Sequence, residues 1–270
     1  MKPSPTLLVA QKAARAAGKL LMASYGKLKT SQIHTKSKND FVTELDKKSE
    51  KLIIGIIQKS FPHHSFQAEE SGLSSNHSED AARWIIDPLD GTANYIRQFP
   101  MFSVSIALYE KKALQCGVVF DPVHEEMFYA QKGKGAYLNG QRLKVSPAKH
   151  LADAMMATGI PFRARGRFDE YMATFKAVSL ASQGMRRGGS AAIDLAYVAC
   201  GRFDGFWEIN LSAWDIAAGA LIIEEAGGKV TDMWGRGNYL ESGDILASNR
   251  HIHGEIQAIT STTLTPKIDS

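Results

Sequence analysis

The chemistry of this sequence concentrates in WIIDPLDGTANY, Trp84 to Tyr95. An apolar, strand-like run delivers Asp87, Pro88 is expected to stop the strand, and Asp90 follows three residues after the first carboxylate. Gly91 and Thr92 come next, where backbone N–H groups at a helix start form a natural cradle for phosphate. Two carboxylates beside an anion site repel each other and the anion, so the arrangement works only with divalent cations between them. Hard cations such as Mg²⁺ take oxygen ligands, usually one or two carboxylates completed by water and substrate phosphate. No cluster of cysteines and histidines competes for a softer metal.

Two further acidic positions fit the same site. QAEESG places Glu69 and Glu70 at a strand end before the Ser71-Gly72 turn, and Asp215 follows Trp214 at the start of the helix-like run DIAAGALIIEEA. Alone, an Asp-Pro pair reads as a turn, a Glu pair as a solvated strand end, and Asp215 as an N-cap worth about 1 kcal/mol. Together they specify a metal site. Aspartates two apart, as in the DxDGT motif of aspartyl-phosphate enzymes, leave a strand on one face as nucleophile and acid. Here they stand three apart across a proline, a spacing for ligands and not for a covalent nucleophile.

The elements that must hold these residues are legible in outline. Leu7, Leu8, Ala14, Leu20 and Leu21 predict an amphipathic helix over 5–25, ending near Gly26. A basic loop, HTKSKND, follows it. Thr43 and Asp46 open a capping-box-like second helix, with Leu45, Leu52, Ile53, Ile56 and Ile57 on its apolar stripe and an end before Pro62. Strands are expected at HSFQAEE, WIIDP, VSIALYE, ALQCGVVFDP and EMFYAQ, with a type I′ hairpin turn at Asn139-Gly140. From about residue 150, strand-like AMMATGIP, FDGFWEI, GGKVTD and DILASN alternate with helix-like RFDEYMATFKAVSLAS, SAAIDLAYVACG and DIAAGALIIEEA. This predicts an α+β half over 1–148, carrying most metal ligands, and an α/β half over 149–270, carrying Asp215 and substrate-binding residues, packed as one catalytic unit.

At 270 residues, 44% apolar and 22% charged, the chain has material for a full core, and disorder is not expected. Its net charge of +4 is interspersed, which suits anionic metabolites and does not by itself indicate nucleic acid. Gln11, Lys12 and Arg15 break any signal-peptide core, and no run reaches membrane-spanning length. Cys116 and Cys200 stand among apolar neighbours as free, buried thiols, so a reducing cytoplasm is the expected location.

In order and spacing, WIIDPLDGTANY and WDIAAGALIIEEAGG, with SKNDFVTELD, EESG, RRGGSAAIDLAYVACGRFDGFWE and KGKGAYLNGQRL, resemble the inositol monophosphatase family, most closely its bacterial SuhB-type branch, over nearly the whole chain. The resemblance implies an αβαβα layered sandwich, a homodimer, and a lithium-sensitive Mg²⁺ phosphatase in which water attacks phosphorus directly, with two or three Mg²⁺ per site. It implies Glu69, Asp87, Asp90, Asp215 and the Leu89 carbonyl as metal ligands, with Asp40 and Thr92 orienting the attacking water on the Glu69 side. Gly91 and Thr92 match the phosphate cradle, and Asp90, Gly189, Ser190, Ala191 and Glu208 match positions that hold the polyol. Ala93 and Tyr95 depart from the Thr and Phe that many relatives carry, a change expected to affect only packing beneath the loop.

Inositol monophosphate, or a related polyol or sugar monophosphate, is therefore the expected substrate. Fructose 1,6-bisphosphate and 3′-phosphoadenosine 5′-phosphate are the alternatives within the class, although their subfamilies carry insertions for which 270 residues leave little room. A reading from another class is a binding factor in transcription or RNA-related complexes, since some bacterial relatives are associated with these. Arg163, Arg165, Arg167, Arg186 and Arg187 could serve such contacts, but no aromatic and basic interleaving supports it. His63-His64 and His251-x-His253 read as exposed turn residues, and Gly133-Lys134-Gly135 as a hairpin loop.

Overall fold

A computed structural model of the chain describes residues 3–28, 31, 33–37, 40–74, 81–161 and 164–266. Helix α1 (Pro5–Ser24) opens where the Ser4 hydroxyl accepts the Leu7 N–H and Pro5 occupies the first turn, where its missing donor costs nothing. The basic loop is in part a strand pair, with β1 (Ile33–Ser37) antiparallel to β2 (Asp40–Thr43). Such a ribbon is held by backbone hydrogen bonds, which a polar sequence does not advertise. Helix α2 (Glu44–Ser60) has the expected capping box, in which Asp46 accepts the Thr43 N–H at 2.8 Å.

The next strands are β3 (Ser65–Ala68), β4 (Gly72–Leu73) and β5 (Arg83–Asp90), the last followed by the short α3 (Thr92–Ile96). Then come β6 (Ser103–Glu110), β7 (Ala113–Asp121), β8 (Glu126–Gln131), β9 (Gly135–Leu138) and β10 (Gln141–Arg142). Among the described residues they form an eight-stranded sheet in the order β10-β9-β8-β7-β6-β5-β3-β4, antiparallel except where β3 runs parallel to β5. Asn139 and Gly140, at φ 47° and 90°, make the β9–β10 turn with both central residues left-handed, as a type I′ turn requires.

The second sheet is built from β11 (Met155–Thr158), β12 (Gly184–Arg186), β13 (Gly205–Glu208), β14 (Lys229–Thr231) and β15 (Ile245–Ser248), in the order β12-β11-β13-β15-β14. Between these strands lie α4 (Phe168–Ala181), α5 (Ala191–Ala199), α6 (Ala213–Glu225) and α7 (Tyr239–Ser242), with α8 (His253–Thr263) after them.

Three apolar cores stack these elements as an αβαβα sandwich. Trp84, Ile86, Val104, Ile106, Val118 and Phe120 face α1 and α2, whereas the alternate residues Ile85, Ala107 and Val119 face α5 and α6. The second sheet divides likewise, with Phe206, Ile245 and Ala247 turned to α5 and α6, and Trp207 and Leu246 turned to the outer core with α4 and α8. The central α6 is buried almost all round, from Asp215 to Ile223, which explains its lack of a polar face. Both cysteines are free, Cys116 buried and Cys200 half-buried. Among the described residues, no helix is long and apolar enough to cross a membrane.

Candidate active site

Pro88 does not end β5. Asp87 pairs with Ser105 and Asp90 with Ser103, so three steps along β5 oppose two along β6. Residues three apart on a regular strand point to opposite faces; the extra residue of this bulge restores the parity and turns both carboxylates to one side. Asp215, from the start of α6, meets them there, and ligand oxygens of Asp87, Asp90 and Asp215 lie within 4.8 Å of one another. Asp215 is the third residue of its helix and not the N-cap: Ser212 is the cap, and Asp215 accepts the Ser212 N–H at 2.7 Å, which fixes the carboxylate.

Asp90 is tied in turn to the start of α5. One of its oxygens accepts the Ser190 hydroxyl at 2.5 Å and the Ala192 N–H at 2.8 Å, where the helix dipole also favours negative charge. Asp87 accepts the Leu89 N–H at 2.9 Å. These bonds do not offset the crowding. Burial pushes the Asp90 carboxyl up to about 7, with Asp215 adding to the rise, and raises Asp87 well above the carboxylate range, with Glu69, Asp90 and Asp215 adding to it. An all-oxygen donor set this buried and self-repelling fits a hard divalent cation.

The cluster opens into a cavity of about 460 Å³. Glu69, Asp87, Leu89, Asp90, Gly91, Thr92, Gly189, Ser190, Ala191, Glu208 and Asp215 all line it. Glu208, 7% exposed at the end of β13, lies directly over Gly159, where any Cβ would overlap its carboxylate. Gly91, at φ 92°, sits where a Cβ would come within 3.1 Å of the Met101 carbonyl and 3.2 Å of the Gly189 carbonyl, so the loop has room only for glycine.

The Asp40 side chain lies outside the described residues. Thr92 has its hydroxyl 3.0 Å from both an Asp46 oxygen and the Leu89 carbonyl. Asp46 is fully buried, and burial pushes it up to about 6 against the lowering effect of its bonds to Thr43. Its place in the capping box concealed this second role in the sequence. Asn94 was also missed: its amide donates to Met101 O at 2.7 Å and Gly188 O at 2.9 Å, joining the loop after β5 to the segment before α5. Tyr95 donates to Leu21 O at 2.7 Å, so its hydroxyl ties α3 down onto α1.

The remaining motifs resolve simply. Gly133 N–H and Gly135 N–H both donate to Glu225, at 2.6 and 2.7 Å, so that loop offers no phosphate cradle. Arg167 is committed to Glu170, Asp244 and Thr265 O, Arg187 lines the cavity, and Arg163 lies outside the described residues. His63 and His251 are exposed; His64 is half-buried and accepts the Trp84 indole N–H at 3.0 Å. His253, expected at the surface, is 1% exposed, because the C-terminal segment is a packed helix and not a turn.

A layered sandwich with a buried all-carboxylate centre, at the seam of its larger sheet with the inner helix layer, is the architecture of a phosphoester-hydrolysing enzyme. The chain belongs to the inositol monophosphatase family, whose model matches residues 2–264. It is 46% identical over 248 residues to Nus factor SuhB of Pseudomonas aeruginosa, covering 91% of this chain and 92% of that one. Its structure is similar to that of extragenic suppressor protein suhB from Bartonella henselae, with a TM-score of 0.91 at 39% identity over 97% of this chain and 100% of that one. It is similar also to inositol monophosphatase from Anabaena, with a TM-score of 0.85 at 41% identity over 95% of each. The chain is accordingly a phosphatase.

Proposed function

We propose that the protein hydrolyses inositol monophosphate, and related polyol or sugar monophosphates, with Mg²⁺ as its cofactor. The observation that carries this reading is the meeting of Asp87, Asp90 and Asp215 within 4.8 Å, beside a cavity that Glu208 also lines. Glu69, Asp87, Asp90, Asp215 and the Leu89 carbonyl would hold Mg²⁺, which when bound lowers the pKa of water and neutralises charge on the attacking and leaving oxygens.

The rest is the work of the chain. The Thr92 hydroxyl gives its hydrogen toward Asp46, which leaves its lone pairs to receive a hydrogen of the attacking water and aim it at phosphorus. The hydrogen bond from the Thr92 hydroxyl supports Asp46 as its partner in this task. The backbone of Gly91 and Thr92 receives phosphate oxygens. Gly189, Ser190 and Ala191 border the polyol, and Glu208 accepts hydrogen bonds from its hydroxyls. No phosphoenzyme forms, since the carboxylates serve as ligands.

A homodimer is supported by Phe168, Met172 and Leu180 of α4, apolar side chains that are 43%, 38% and 79% exposed. Cytoplasmic location and inhibition by Li⁺ complete the proposal. The relative's designation as a Nus factor supports a second role in transcription-related complexes. A metal-site variant that still complements a deletion strain would assign the physiological task to that binding role, and its failure would assign the task to catalysis.

The direct test is phosphate release from inositol 1-phosphate, glycerol 2-phosphate, fructose 1,6-bisphosphate and 3′-phosphoadenosine 5′-phosphate, with Mg²⁺ or EDTA and with or without Li⁺. Mg²⁺-dependent, Li⁺-inhibited release led by inositol phosphate is expected. Preference for either bisphosphate would replace the substrate assignment, and release undiminished by EDTA would refute the metal.

A further inference from the structure

Helix α2 presents Asp46, Ser49 and Glu50 on one face, three and four residues apart. All are buried, at 0%, 0% and 4% exposure, and each ends on a different segment of the site. Asp46 holds the Thr92 hydroxyl, the Ser49 hydroxyl donates to the Pro88 carbonyl at 3.0 Å, and a Glu50 oxygen accepts the Glu70 N–H at 2.8 Å.

The last bond sits at a turning point of the chain. The Glu69 N–H is still in the β3–β5 ladder, donating to Ile86 O at 3.2 Å. The chain then reverses at once, since Gly72, left-handed at φ 73°, already pairs back with Ala68. The Glu70 N–H therefore leaves the ladder and needs another acceptor, which Glu50 supplies. Both peptide planes flanking Glu69 are thereby fixed, one by the sheet and one by α2, and with them the direction of the Glu69 side chain into the cavity.

We propose that Glu50 is a positioning residue for the cation site, orienting Glu69 toward it through the Glu70 amide. This rests on the Mg²⁺ reading above. A clamp is useful because Glu69 shares its cavity with the carboxylates of Asp87, Asp90 and Asp215, and like charges brought together there repel one another. A charged acceptor makes a bond roughly twice as strong as a neutral one, which suits a clamp working against that repulsion.

The test is Mn²⁺ binding to the full chain, followed by the electron paramagnetic resonance of free Mn²⁺, beside hydrogen exchange at the Glu70 amide. Glu50→Ala is expected to raise the Mn²⁺ Kd about tenfold, the usual scale for losing an outer-sphere partner. Glu50→Gln, which keeps a weaker neutral acceptor, raises it about threefold. Exchange at Glu70 quickens in the same order. Ile256→Val, which loosens the outer core far from the site, leaves the Kd unchanged. A folded Glu50→Ala with the wild-type Kd overturns the proposal; if that variant does not fold, Glu50→Gln decides, and an unchanged Kd there overturns it equally. A wild-type chain that binds no Mn²⁺ refutes the cation reading itself, an outcome distinct from a clamp that makes no difference.

Discussion

Asp90 shows what the site costs at the scale of one residue. An ordinary aspartate ionises near 3.8, whereas this one is held up to about 7, so keeping it charged destabilises the folded state as pH rises from about 4 through about 7. Asp90→Asn removes that cost and keeps an oxygen for the Ser190 hydroxyl and the Ala192 N–H. In EDTA at pH 8 the variant should melt above the wild type in scanning calorimetry, and with Mg²⁺ its turnover should fall by at least about 10²-fold, because charge stabilisation of the reacting oxygens is lost. Near-normal phosphate release at saturating Mg²⁺ would show the site misplaced. Glu208→Gln separates substrates: activity on inositol phosphate should fall more than activity on p-nitrophenyl phosphate, and an equal loss on both would rule out a polyol contact. At this scale the carboxylates were legible because their types and order are unusual together. The hydrogen bond between Thr92 and Asp46 was not, since the two stand 46 residues apart and only the path of the chain brings them together.

The helices and most strands follow periodicity, caps and turn residues, and the Thr43–Asp46 box and the Asn139-Gly140 turn occur as those signals require. What periodicity could not supply was the bulge in β5, because Pro88 looks like a strand end unless β6 is there to continue the pairing. Close packing between elements was likewise invisible. Gly117 of β7 faces α6, where a Cβ would stand 2.9 Å from the Ala218 carbonyl and 3.0 Å from its Cα, backbone that cannot swing aside. Gly117→Ala should cost about 1–3 kcal/mol in urea denaturation by forcing apart the sheet and the helix that carries Asp215; an unchanged midpoint would contradict the packing described. Helix α8 is anchored by His253. The Thr231 hydroxyl donates to Asp232 O and so must accept from His253 Nε2–H at 2.9 Å, while Ser248, accepting the Arg250 N–H, donates to Nδ1 at 2.9 Å. Both ring nitrogens are satisfied in the neutral form, and burial lowers the folded pKa from 6.5 to about 4. Below pH 6.5 the unfolded chain takes up a proton that the folded one refuses, so this group's contribution is lost as pH falls from about 6.5 to about 4. In EDTA the wild type should lose about 2–3 kcal/mol more than His253→Gln between pH 7 and pH 4. Parallel losses in the two proteins would mean that the ring protonates freely in the folded state.

Across the whole molecule, the site is a joint. Glu69, Asp87 and Asp90 come from the eight-stranded sheet, Glu208 from the five-stranded one, and Asp215 from the helix layer between them. Hydrogen bonds from Ser190, Ala192 and Asn94 stitch the same seam. On the cation reading, a bound divalent ion would make these carboxylates a cross-link between the layers. Binding to the folded state alone stabilises it by about 2.7 kcal/mol at one hundred times Kd. For a chain of this size that is a rise in Tm of about 5–10 °C. Saturating Mg²⁺ should therefore raise the wild-type Tm by that amount over EDTA, and Asp215→Asn should lose most of the rise, because the ligand removed is the one that ties the helix layer to the sheet. A wild-type Tm indifferent to Mg²⁺, or an Asp215→Asn protein that keeps the full shift, would mean that the cation does not bridge the layers.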